Sequence, residues 1–134
     1  MKENKKQLLL KVLSEMLPYG VICDVLGRTK KLLAINPWKK FPLEFDNGEY
    51  IPNDYTLEDV KPYLRPMESM TEEEIRELSS LGSGLIISKD VLRDIILDVM
   101  YKTNAIDWLN KNHFDYRGLI PMGLALPATT EMYK

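Results

Sequence analysis

Cysteine and histidine are almost missing: the 134-residue chain carries one of each, Cys23 and His113. A single thiol excludes an internal disulfide, and one Cys with one His cannot build a four-ligand zinc cage. No metal site and no cofactor is expected. No run approaches the ~20 apolar residues that a membrane span requires. Glycine-rich phosphate loops are missing too. Gly82-Ser83-Gly84 lacks the third glycine and the preceding strand of a dinucleotide fingerprint, and no lysine-serine pair follows it. No serine sits between glycines at the spacing of a nucleophile elbow, and there is no His-Glu-x-x-His. An excess of one charge is absent as well. With 18 basic and 20 acidic residues the net charge is -2, so attraction to nucleic acid or acidic membranes would have to come from a local patch.

What is present is ordinary for a folded protein: 45% hydrophobic and 28% charged residues, in a length common for one domain. There is no internal repeat or linker, so residues 1–134 read as a single domain. At the start, Lys2, Lys5 and Lys6 before Leu8-Leu9-Leu10 superficially resemble a secretion signal. Lys11, Ser14 and Glu15 break that run and no small-residue cleavage site follows, so the expectation is a cytoplasmic protein.

The pattern predicts an α+β fold, a small antiparallel sheet of three to four strands covered by several helices. Leu9, Val12, Leu13, Met16 and Leu17 form one stripe of a helix over Lys5 to Leu17, halted by Pro18. Val21 to Val25 and Lys31 to Ile35 read as a hairpin turning at Gly27, Arg28 and Thr29. Leu43 and Phe45 alternate with Glu44 and Asp46 as a half-wet strand. Asn47-Gly48 is a strong turn signal before Tyr50 and Ile51. Thr56 can cap a short helix with Glu58 and Asp59 in its first turn, and Pro62 and Pro66 then predict a stiff irregular strap. Thr71 and Glu74 spell a capping box, with Met70 and Ile75 as its hydrophobic staple and Gly82 as its stop. Leu85 to Ile87 suggest a brief strand, and Ser88 caps a helix burying Val91, Leu92, Ile95, Ile96, Val99 and Met100. A last helix runs from about Asn104 to Asn112. Asp115 caps a following turn, and the final residues are expected to be loose.

Two clusters could carry chemistry. Arg28, Lys30, Lys31, Lys39 and Lys40 fall between Gly27 and Phe41 without an acid, with Trp38 among them. Such a mixture can hold phosphates and stack bases, although lysines also guard exposed strand edges. His113, Asp115, Tyr116 and Arg117 bring together an imidazole, a carboxylate, a phenol and a guanidinium, which could bind an anion or shuttle a proton. The plainer reading of that cluster is a helix cap and a turn. Cys23 could in principle be a thiolate nucleophile with His113, but inside an apolar strand a cysteine behaves as a small hydrophobe. No catalytic residue is assigned.

Several phrases carry a resemblance. Leu17-Pro18-Tyr19-Gly20-Val21-Ile22-Cys23, Lys61-Pro62-Tyr63-Leu64-Arg65-Pro66-Met67 and His113-Phe114-Asp115-Tyr116-Arg117-Gly118-Leu119-Ile120 are the main ones. Together they are similar to a group of uncharacterised short proteins of Bacteroides-type gut bacteria and their phages. The group has no assigned activity, so the resemblance implies no functional residue. It implies a setting: mobile elements, whose small accessory proteins often act by binding. The resulting expectation is a non-enzymatic, phage-type accessory protein with an unidentified protein partner and no membrane association. Nucleic-acid or nucleotide binding through the basic hairpin 28–41 is the alternative.

Overall fold

A computed structural model of the chain describes residues 3–36, 43–46, 57–81, 103–129 and 131–133. Contacts divide the chain into two compact units. The first is Met1–Tyr63 with Leu119–Pro127, the second Leu64–Gly118 with Ala128–Lys134.

The first unit opens with helix α1, Glu3–Met16, which buries Leu9, Val12, Leu13 and Met16 as their spacing predicts. Pro18 converts its end into a single 3-10 turn, Leu17–Tyr19. Strands β1, Val21–Val25, and β2, Arg28–Ile35, follow as an antiparallel hairpin with Val25 opposite Arg28. The turn is Leu26-Gly27, one step earlier than the sequence suggests, and both residues have positive φ, 54° and 82°. Two positive φ values in a two-residue loop match the right-handed twist of the flanking strands. Glycine adopts them freely, whereas Leu26 pays a steric cost for its Cβ.

Strand β3, Leu43–Phe45, pairs with β2 through an irregular register between Leu32 and Ala34. A 3-10 turn, Leu57–Asp59, leads into strand β4, Val60–Leu64. The sheet is completed by the two-residue strand β5, Leu126–Pro127, in the order β3-β2-β1-β4-β5. The fold is α+β, and the described residues form a five-stranded sheet where three to four strands are expected.

β4 corrects two expectations. Residues 57–59 form one 3-10 turn rather than a helix, and Lys61 to Leu64 are sheet, not strap. The reason is pairing over distance. Val60, Pro62 and Leu64 alternate as buried residues with Lys61 and Tyr63, and Val25, Asp24 and Cys23 stand opposite Val60, Lys61 and Pro62. A register of that kind outweighs the local discouragement from Pro62. Thr56, Asn47-Gly48 with Tyr50 and Ile51, the strand over Leu85 to Ile87 and the helix after Ser88 lie outside the described residues.

The second unit holds helices α2, Glu72–Leu81, and α3, Thr103–Lys111. The capping box at the start of α2 is formed in both directions. Glu74 donates its N–H to Thr71 Oγ1 at 3.1 Å, and Thr71 donates its N–H to Glu74 Oε1 at 3.0 Å. Met70 and Ile75, the staple, are buried with Leu78, Ala105, Trp108, Leu109 and Phe114 in one apolar cluster. Trp108 and Phe114 stack at 5.7 Å between ring centroids, 16° from parallel.

Candidate functional site

A cleft of about 430 Å³ opens on the second unit, within the ~300–1,000 Å³ span usual for ligand pockets. Arg65, Ser69, Thr71 and Glu74 line it together with Lys111, Asn112, His113, Ala128, Thr129 and Tyr133.

Arg65 is the residue around which it is built. Its backbone is tied to the turn after α3: the Arg65 N–H donates to the His113 carbonyl at 2.7 Å, and the Asp115 N–H donates to the Arg65 carbonyl at 2.9 Å. These two bonds make a parallel bridge opposite Phe114. The guanidinium lies over the Phe114 ring, 4.1 Å from its centroid, and donates a fork of two 2.7 Å bonds to the Glu74 carboxylate. That fork, opposed by partial burial but helped by the Thr71 N–H, holds the Glu74 carboxyl below its ordinary range. One carboxylate thus serves the helix cap and the ion pair together.

Two rings also line the cleft, those of His113 and Tyr133. His113 sits at φ 62°, a left-handed conformation uncommon outside glycine, and is only 5% exposed. Its N–H donates to the Asn110 carbonyl, as the chain leaves α3. The imidazole stacks face to face on Tyr133, with ring centroids 3.6 Å apart and 8° between planes. The expectation of a loose end is therefore corrected at Tyr133, which packs on the turn. The Ala128 N–H donates to the Leu64 carbonyl at 2.8 Å and the Met132 N–H to the Thr129 carbonyl at 3.3 Å, fixing the path of this segment.

Of the cluster singled out in the sequence, His113 alone lines the cleft. Asp115 is buried, and its carbonyl accepts the Gly118 N–H. Tyr116 donates its hydroxyl to Asn110 Oδ1 at 3.0 Å, and the Arg117 guanidinium lies 5.2 Å from the Tyr116 ring centroid. Arg65, Glu74, Lys111 and Tyr133 were not legible as site residues. Thr71 and Glu74 announce themselves only as a cap.

The basic hairpin does not form one patch where it is described. Lys30 stands opposite Cys23, on the face of Val21, Val25 and Leu32, and is 2% exposed. Lys31 stands opposite Ile22 on the other face, exposed, with its backbone N–H bonded to Asp46 Oδ1 at 3.0 Å. Arg28 is exposed beside the turn. Trp38, Lys39 and Lys40 lie outside the described residues. Cys23 is fully buried, and burial together with the charge of Asp24 pushes its thiol up to about 12. A thiol held protonated in this way is a poor nucleophile.

The Ser69 hydroxyl donates to the Pro66 carbonyl at 2.6 Å, and Thr71 Oγ1 receives the Glu74 N–H. Neither is bonded to His113, and Glu74 is committed to Arg65. Among the described residues no group of three or more His, Cys, Asp or Glu could hold a metal ion, and no helix is long and apolar enough to cross a membrane. Comparison with protein families, curated proteins and solved structures found no match to this chain.

Proposed function

We propose that the protein is a non-enzymatic accessory protein of the cytoplasm that takes a segment of a partner protein into the cleft of its second unit. The observation that carries this reading is that two pairs of lining side chains are braced against each other. The Arg65–Glu74 fork is one and the His113–Tyr133 stack the other. Side chains already held in place lose little entropy when a partner docks, which raises affinity without added contact area. The mobile-element setting implied by the sequence resemblance agrees with a role of this kind.

The test is site-directed photo-crosslinking. Benzoylphenylalanine is placed at Thr129, which is exposed and lines the cleft, and for comparison at Lys11, exposed on α1. The expected result in bacterial lysate is a discrete crosslinked partner from Thr129 and none from Lys11, suppressed by Tyr133→Ala. Equal crosslinking from both positions, or none from Thr129, overturns the proposal.

A further inference from the structure

Arg65 offers a flat, braced surface that its contacts within the fold do not use up. Phe114 lies against one side of the guanidinium, 4.1 Å from its central carbon to the ring centroid. Both Nη atoms are tied to the Glu74 carboxylate by 2.7 Å bonds, which hold the plane against rotation and match its charge. A quarter of the side chain is nonetheless exposed, and Arg65 lines the cleft. With one side covered by Phe114 and the Nη edge held by Glu74, that exposure belongs to the other side of the guanidinium and its borders.

We propose, resting on the binding reading above, that this second side of Arg65 is a stacking site for an aromatic side chain of the partner segment. A guanidinium is planar and weakly hydrated, so it accepts a ring against its face in a way that an ammonium does not. Phe114 already uses one side in this manner, and Trp108 stacks on Phe114 at 5.7 Å, so a partner ring extends an existing series of flat groups. An anion is served less well. Glu74 already matches the charge of Arg65, and an incoming carboxylate or phosphate would have to displace it or be repelled by it. Glu68, Glu72 and Glu73, all exposed on the same stretch as Glu74, disfavour a nucleic acid as the source of the ring.

The probe is a randomised hexapeptide library, acetylated and amidated so that neither end is charged, selected on the full-length protein. The expected result is enrichment of Phe, Tyr or Trp at one position. Replacing the enriched aromatic by cyclohexylalanine keeps the bulk and removes the flat ring, and it should weaken binding by about three- to tenfold, the share that stacking adds beyond buried area. The bound aromatic peptide should also move the Arg65 Hδ and Nε–H resonances upfield, as a ring current does to protons over its face, and the cyclohexylalanine peptide should not. Arg65→Lys keeps a charge for Glu74 without a plane, so it should bind both peptides alike; where that variant fails to fold, the wild-type Arg65 resonances decide. Binding unchanged by cyclohexylalanine, unmoved Arg65 resonances, or displacement by a single-stranded oligonucleotide overturns the stacking site. A crosslink from Thr129 without an aromatic preference in the library leaves the binding reading standing and the stacking site refuted. If the library yields no binder and Thr129 no crosslink, both fall together.

Discussion

Glu74 is the most informative single residue to perturb, because three bonds converge on its carboxylate. Two 2.7 Å bonds come from Arg65 and a third, at 3.0 Å, comes from the Thr71 N–H. The side chains of the pair are 25% and 18% exposed, which places them between a solvated surface pair and a fully buried one. Surface pairs contribute about 0–1 kcal/mol, whereas breaking a buried pair costs about 3–5 kcal/mol. With residual solvent discounted, about 2 kcal/mol is reasonable for the pair, and the capping bond adds about 0.5–1 kcal/mol. Glu74→Ala should therefore destabilise by about 2–3 kcal/mol. With a urea dependence of ~1–3 kcal/mol/M for a chain of this size, the midpoint should move down by about 1–2 M. Glu74→Gln keeps an acceptor for the Thr71 N–H and for one arm of the guanidinium, so its loss should be nearer about 1 kcal/mol.

The assay is urea unfolding followed by fluorescence in a Trp38→Phe background, so that Trp108 in the apolar cluster reports on the second unit. The pH dependence adds a second check. Arg65 holds the Glu74 carboxyl below its ordinary value, so the folded state binds a proton less readily than the unfolded one. Its stabilisation is fully present above the unfolded value and is lost as pH falls through the lower, folded value. Wild-type protein should thus lose stability below about pH 4.5 more steeply than Glu74→Gln. An unchanged urea midpoint in Glu74→Ala, together with parallel acid profiles, would refute the account of the Arg65 wall.

Three further outcomes follow from positions elsewhere in the chain. Leu26 holds φ 54° in the hairpin turn, so Leu26→Asn should stabilise by about 1 kcal/mol in thermal unfolding, and a loss of stability would contradict the turn geometry. Cys23, its thiol at about 12, should resist a disulfide reagent at pH 8 in the native state and react promptly in denaturant. By linkage it stabilises the fold below the unfolded thiol value and ceases to do so as pH climbs toward 12; fast native labelling would show the burial to be wrong. At His113, φ 62° suits Asn far better than a β-branched residue, while both replacements remove the stack on Tyr133. His113→Asn should therefore be more stable than His113→Val by about 1–2 kcal/mol, and equal unfolding midpoints would argue against backbone strain there.

Elements whose signals are local were legible in advance. The stripe of α1 and its stop at Pro18 need no knowledge of the rest of the chain. Neither do the capping box at Thr71 and Glu74 and the alternation of Leu43 to Phe45. β4 was misread because its local signals point elsewhere. Glu58 and Asp59 suit a helix start, and Pro62 argues against a strand. What decides the matter is the pairing of Val60, Lys61 and Pro62 with residues more than thirty positions earlier, and no window of sequence contains that information. β5, at two residues, is too short to carry any pattern.

The candidate site was hidden for the same reason, and Arg65 shows why. In sequence it is one of two cations in a proline-bounded segment, with nothing to distinguish it from Lys61. Once β4 is in place, the chain leaving the strand is bonded on both sides to the turn at His113 and Asp115, and this sets Arg65 over Phe114 and within reach of Glu74. Glu74 itself is half legible: its spacing from Thr71 announces a cap but not the second role as partner of a guanidinium nine residues upstream. A capping glutamate with two oxygens has acceptor capacity to spare, and an arginine delivered by a neighbouring element can use it. Local grammar and tertiary recruitment of the same side chain are compatible. A cap in the sequence therefore marks one end of an interaction whose other end only the fold supplies.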